Sequence, residues 1–252
     1  MINILQSEFL KYKRTFVRRL ILLAPIFFII FALPQKLFMP ANYLRPWQLI
    51  LDLVFNWWPV VFIPMGLALY AALMEAKEKK AGNYRSLRVR DISPAHLWIA
   101  KVIIMGCHTL ISTLVLIGAT VISGLITGGG TIPWFKIFAG GFATWIVSLA
   151  IIPLQLWIAT WKGTFASIAM GFMGLIAGVI AAPESYWVYV PWSWPIRLMC
   201  PIIGVHPNGT LLEATSPLLN ASVIPLGIII AIASWIILTF MTAVWFNKKE
   251  MK

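Results

Sequence analysis

The side chains able to do chemistry are few in this sequence, and most sit in one stretch. Glu75 to Lys101, EAKEKKAGNYRSLRVRDISPAHLWIAK, holds seven of the twenty Lys and Arg residues and three of the eight acids. Its charged candidates are Glu75, Glu78, Arg85 and Arg88; Tyr84 and Leu87, with Val89, are the few apolar side chains able to enter a groove on a partner. A second cluster is aromatic, with Trp187, Trp192 and Trp194 around the single cation Arg197. Such a ledge suits a lipid headgroup, or an amphipathic cationic peptide held chiefly through its apolar face. Equally, it suits an interfacial anchor with Arg197 stacked on a ring, an interaction of about 0.5–2 kcal/mol. Catalysis has no comparable constellation. His96, His108 and His206 are isolated, with no carboxylate at a helical repeat from any of them, so neither a metal-ligand spacing nor an acid–base set is present. His108 reads as a neutral, hydrogen-bonded packing residue. Cys107 and Cys200 fall in different expected compartments, which argues against a disulfide framework. No GxxxxGK[ST] phosphate loop occurs, so the chain does not itself cradle a nucleotide, and no cofactor site is expected.

The elements that must position these residues are membrane helices. The chain has 252 residues, 60% of them hydrophobic, with a mean hydropathy of +0.87. Apolar runs of about 20 residues cross a ~30 Å hydrocarbon core at 1.5 Å rise per residue. A soluble helical protein would need polar faces that these runs lack. Six spans are expected, at about Leu20–Leu37, Asn56–Met74, Leu97–Ile126, Trp134–Thr160, Thr164–Ala182 and Val223–Phe246. The fold class is therefore an all-α integral membrane protein, read as one transmembrane domain over 1–252. Pro25, Pro34, Pro59, Pro64 and Pro153 lie in or at the ends of the runs and predict local kinks. Ahead of the spans, Ile2, Leu5, Phe9, Tyr12 and Phe16 recur at helical spacing, with Lys11, Lys13 and Arg14 largely off that stripe. The segment 2–17 reads as an amphipathic helix lying in the membrane surface, or more simply as a basic flank orienting the first span.

Charge fixes the expected orientation. With the N-terminus inside, sixteen of the twenty Lys and Arg residues fall on the cytoplasmic side, and only Lys36, Arg45, Lys136 and Arg197 fall outside. That is a strong positive-inside bias, placing both termini in the cytoplasm. It also disposes of nucleic acid as the partner implied by the net charge of +12, because the charge is spread along one membrane face. Trp57, Trp58, Trp98, Trp134, Trp161 and Trp245 fall near expected span ends, as interfacial anchors do. Gly128–Gly130 and Trp161–Gly163 are short links that make their flanking spans antiparallel neighbours. Segment 75–93 is then a cytoplasmic piece broken near Gly82–Asn83, leading through Ser93–Pro94 into the third span. It reads either as a coupling helix or as a solvated loop that sets topology. Segment 183–222 is outside, and its apolar stretch Ile196–Val205, broken by prolines and too short to span, reads as a re-entrant or interfacial hairpin. With ionisable groups nearly absent from the expected spans, energy for any uphill transport must come from elsewhere.

The N-terminal helix, six spans, charged segment between spans two and three, Ile99–Ala100–Lys101 junction and broken hairpin resemble type-2 ABC exporter permeases. The opening MINILQSEFLKYKRTF, Asn56–Trp57–Trp58 and YVPWSWPIRLMCPIIGVHPNG resemble, more narrowly, lantibiotic-immunity permeases of the MutE/EpiE type. Trp194 to Pro201 is the most specific part of the likeness. The resemblance implies a non-catalytic subunit of the bacterial plasma membrane, paired with a second, related permease. ATP and Mg would be used by a dimer of partner ATPase subunits docking on Glu75–Arg90, and the complex would expel a cationic lantibiotic from the membrane. Two alternatives stand beside it: the same architecture exporting another substrate, such as a bacitracin-like peptide or a lipid, and an intramembrane lipid-modifying enzyme using Arg197 or His206.

Overall fold

A computed structural model describes residues 1–13, 15–40, 45–82, 84 and 93–250. Helix dominates because the apolar runs must satisfy their own backbone groups. The first helix, α1 (Ile2–Lys11), precedes α2 (Phe16–Phe38), which stays continuous through Pro25 and Pro34. A two-residue strand β1 (Arg45–Pro46) opens the second long helix, which starts at Trp47, nine residues before the expected Asn56. It runs as α3 (Trp47–Trp57), a π-helical turn (Trp58–Phe62) and α4 (Ile63–Lys80). Pro59 and Pro64 cause the turn, since each lacks an N–H and crowds a carbonyl one turn back; the wider π turn accommodates both.

Helix α5 (Pro94–Thr127) follows, with proline at its first position. Strand β2 (Gly128–Gly129) then pairs in parallel with β1, which ties the start of the second long helix to the end of the third. The next span is broken into α6 (Trp134–Ser148) and α7 (Ile151–Lys162), bent by 42°. Pro153 explains the position of the bend, because its ring clashes with the carbonyl four residues earlier, at Leu149. Gly163, at φ +91°, turns the chain into α8 (Thr164–Ala181). A 3₁₀ turn (Ser185–Tyr189), α9 (Ser193–Ile203), a second 3₁₀ turn (Pro217–Leu219) and the long α10 (Val223–Glu250) complete the chain.

Five helices, α2, Trp47–Lys80, α5, α8 and α10, are each long and apolar enough to cross a membrane, and the bent α6–α7 pair makes a sixth if taken as one span. Three expectations need correction. Trp57 and Trp58 are not at a span end, because the helix begins ten residues earlier, and Trp58 is buried. Trp98 is fully buried, its ring 4.8 Å from that of Phe246 and its Nε1 donating to Thr242 Oγ1. The N-terminal apolar stripe does not face outward as one surface: Tyr12 is buried and Leu5 packs on the core, while Ile2, Phe9 and Phe16 are exposed. Carboxylate chemistry explains that last rotation, as shown below.

Helix α9 sits inside the protein. Pro195 lies in its first turn and Pro201 within it, and neither breaks it, so the expected broken stretch is one continuous helix ending at Gly204 in the left-handed region (φ +96°). Glycines on its neighbours admit it: a Cβ on Gly174 would lie 2.4 Å from Trp192 Nε1, and one on Gly178 would lie 2.8 Å from the Trp192 carbonyl oxygen. Backbone cannot yield there as a side chain can, so Gly178→Ala should destabilise the fold by roughly 1–3 kcal/mol through overpacking. Thermal unfolding in detergent checks this, and an unchanged midpoint would mean that α9 is not held as described.

Candidate functional site

At one end of the bundle a buried group of charges joins five helices. Lys101, in the second turn of α5, has no exposed surface. Its Nζ donates to Tyr84 Oη at 2.7 Å, lies 3.3 Å from Glu78 Oε1, and sits 4.5 Å from the centre of the Tyr84 ring. Tyr84 Oη in turn donates to Glu75 Oε2 at 2.7 Å, and Thr160 of α7 donates to the same oxygen at 3.1 Å. Glu78 Oε1 also accepts from Lys11 Nζ at 2.8 Å, and Lys11 pairs with Glu8 one turn back on α1. Lys77 donates to the Lys11 carbonyl, closing α1 onto α4. Phe246 of α10 packs edge-on against Tyr84 with ring centres 5.1 Å apart, and Lys249 donates to the Thr160 carbonyl at 3.3 Å.

The electrostatics follow from burial. A buried ammonium costs several kcal/mol unless paired and hydrogen-bonded. Lys101 therefore holds Glu78 and Tyr84 close, and Glu8 turns inward where the amphipathic pattern alone would not place it. Burial works against the Lys11 ammonium, but the Glu8 and Glu78 carboxylates outweigh it and raise its pKa above the usual lysine value. Burial first, and then the Glu75 charge, push the Tyr84 phenol well above its ordinary value, so it stays a neutral donor. Tyr84 sits at φ +65°, a conformation rare outside glycine, and its three fixed contacts hold it there. Glu8 Oε2 and Glu75 Oε1 are buried with no hydrogen-bond partner among the described residues.

Glu75, Glu78 and Tyr84 are thus brought together, but as an internal node. The expectation that they stand in water and that Tyr84 enters a partner's groove is corrected: Tyr84 is only 5% exposed, because Lys101 and Phe246 occupy the space around it. Arg85, Leu87 and Arg88 lie outside the described residues. Sequence reasoning missed Glu8, Lys11, Lys101 and Thr160 as members; the i, i+3 pairs Glu8–Lys11 and Glu75–Glu78 were the signal available. Ser93 occupies the N-cap of α5 as expected, but its side chain makes no capping bond.

The aromatic ledge is also internal. Trp187, Trp192, Trp194 and Arg197 are all buried, and Arg197 donates to the Leu218 carbonyl at 2.8 Å. Trp194 Nε1 donates to the Val188 carbonyl at 3.0 Å. Neither a surface for a headgroup or peptide nor a stacked anchor describes them; they seat α9 and fix the loops on either side, because a guanidinium inside the protein must spend its donors on backbone oxygens. What α9 positions is a polar network at the other end of the bundle. The Ile203 carbonyl accepts from Gln48 at 2.7 Å and from Lys136 at 3.3 Å; Lys136 donates to Gln48 Oε1 at 2.9 Å, and Gln48 donates to Asp52 Oδ1 at 3.1 Å. Asn56 donates to the carbonyls of His206 and Pro207, holding the turn after Gly204. Beside this network lies an open cavity of about 720 Å³, whose lining includes the polar side chains of Asp52, Asn56, Arg45, Asn208 and Thr210 and the aromatic rings of Phe31 and Trp57. Asp52 escaped notice because the second helix was expected to start after it; Gln48–Asp52, an i, i+4 pair, was the available signal.

His108, in α5, hydrogen-bonds Tyr70 as a packing residue does, and Cys107 and Cys200 are both free thiols. Among the described residues no group of three His, Cys, Asp or Glu side chains is placed to hold a metal ion.

If the node carries the load described, Lys101→Met should leave Glu78 and Glu75 uncompensated and cost about 3–5 kcal/mol. Pairing it with Glu78→Gln should return part of that loss. Unfolding midpoints of the single and double variants check the pair, and simple additivity would contradict it.

Comparison with curated proteins and with solved structures gave no match. A family model described as ABC-2 family transporter protein matches residues 4–178, which include most of α1, the first two long helices, α5, the bent span and most of α8. With that match over more than half its length, and with five or six apolar helices, this multi-pass membrane chain belongs to the ABC-2 family of transporter permeases, non-catalytic membrane subunits that work with an ABC ATPase.

Proposed function

We propose that this chain is one of two related permease halves that export a cationic, amphipathic peptide of the lantibiotic class, protecting a bacterial cell from it. Both termini and the segment after Lys80 face the cytoplasm, where a dimer of ATPase subunits binds ATP and Mg. The sixteen-to-four distribution of basic residues supports that orientation. Arg85, Leu87 and Arg88 would meet the ATPase, while Glu75, Glu78 and Tyr84 anchor that segment to α5 from within. A push on the segment is then passed to a 34-residue helix rather than absorbed by a loop.

The observation that carries the substrate reading is the 720 Å³ cavity at the end opposite the node. A peptide already partitioned into the outer membrane surface presents an apolar face and cationic groups together. The cavity lining offers the aromatic rings of Phe31 and Trp57 together with Asp52, Asn56 and Asn208, and Arg45 is the one cation among its lining residues. The helix that frames it, Ser193–Ile203, carries the Trp194–Pro201 stretch that resembles lantibiotic-immunity permeases. In the proposed orientation the cavity would open on the outer side, which supports extraction from the outer leaflet.

In cells expressing the whole complex, Asp52→Asn and Trp57→Ala should each lower protection against the peptide by roughly tenfold, the usual scale for losing one desolvated contact, with unchanged amounts in the membrane. Inhibitory concentrations measure this. Full protection with both variants would remove the cavity from the substrate path, and loss of bacitracin or lipid export alone would favour a permease for that other substrate.

A further inference from the structure

A second cavity, of about 280 Å³, lies at the node end but outside it, where α1 leans on α2 and α5. Its rim carries Lys13 and Arg18, from the turn after α1 and the first turn of α2. Arg18 is oriented by a bond from its Nη1 to the Lys13 carbonyl at 3.1 Å, and neither cation forms an ion pair among the described residues. Glu8, the one acid on α1, is turned inward to Lys11 and does not line the cavity. Phe9, Leu10, Ile21 and Ile111 make the walls apolar. Ile21 also lines a separate, narrower cleft of about 50 Å³ beside α4, together with Leu20, Ala24 and Phe62. At Gly66, on that cleft, a Cβ would meet nothing within 4 Å.

We propose that this pair of spaces is a binding site for one anionic phospholipid, with its phosphate against Lys13 and Arg18 and an acyl chain running past Ile21 toward Gly66. Two uncompensated cations at the start of a span, above an apolar cleft between three helices, match the two ends of such a lipid. A free phosphate would leave the cleft unused, and a peptide would need backbone partners that these walls do not offer. Bound there, the lipid would fill the gap between α1 and the span beside it and so bear on how α1 closes over the charged node.

Native mass spectrometry of the full chain in detergent, titrated with phosphatidylglycerol or phosphatidylcholine, tests this. One phosphatidylglycerol per chain should be retained in preference to phosphatidylcholine. Lys13→Ala with Arg18→Ala should weaken that retention by about thirtyfold, from the electrostatic worth of two basic residues near a charged lipid surface. Gly66→Leu should weaken it by obstructing the chain, with the cations intact, and Lys162→Ala should leave it unchanged. Equal retention of the two lipids, or wild-type retention by both the double variant and Gly66→Leu, would overturn the proposal. Displacement by soluble glycerol phosphate at comparable concentration would also overturn it, assigning the cations to a free anion.

Discussion

Much of the structure at one end of this protein depends on where Lys101 sits. An ammonium with no exposed surface needs carboxylate and hydroxyl partners on every side, or it would be lost from the interior at a cost of several kcal/mol. Glu78 and Tyr84 supply them directly, and Glu75 fixes Tyr84. Glu78 then draws in Lys11, and with it α1. Helices far apart in sequence are joined through a few oxygen atoms: α1 through Glu8 and Lys11, α4 through Glu75 and Glu78, α5 through Lys101, α7 through Thr160, and α10 through Phe246 and Lys249.

The other end obeys the same constraint with different groups. There a backbone carbonyl, that of Ile203, is the focus, and Gln48 and Lys136 converge on it. Two long helices, Trp47–Lys80 and Pro94–Thr127, run from one polar focus to the other, each roughly 50 Å at 1.5 Å per residue. The π turn at Trp58–Phe62 is the one departure from α-helix within them, and it lies midway along the first. In the proposed function, a displacement at Tyr84 would be carried toward the Asp52 cavity along these helices, with that wider turn as the place where the first helix can adjust.

The sequence made the long elements plain because hydrophobic length is a local property. The apolar runs marked every span, Pro153 marked the bend, and Gly163 marked the tight turn. Trp47 as a helix start was hidden because Gln48 and Asp52 look like solvent-exposed residues until a partner from α6 and a carbonyl from α9 are placed beside them. The charged stretch misled in the same way. Its composition identifies charge but not the direction in which each side chain points, and burial of Glu75 and Glu78 depends on Lys11 and Lys101, 67 and 17 residues away along the chain from Glu78 and Tyr84 respectively. The aromatic segment stands out in the sequence, but the inward packing of Trp192 depends on Gly174 and Gly178 of another helix.

The central claim is that the segment following Lys80 and the start of α5 move as one body because the buried node binds them. Spin labels on Ala81 and His96, both exposed, in a background with Cys107 and Cys200 replaced by serine, measure it directly in the assembled transporter. A narrow distance distribution between the two labels that is unchanged between nucleotide-free and ATP-bound complexes is the predicted result. A distribution that broadens or shifts on ATP binding would show that the segment moves independently of α5, and would contradict the account.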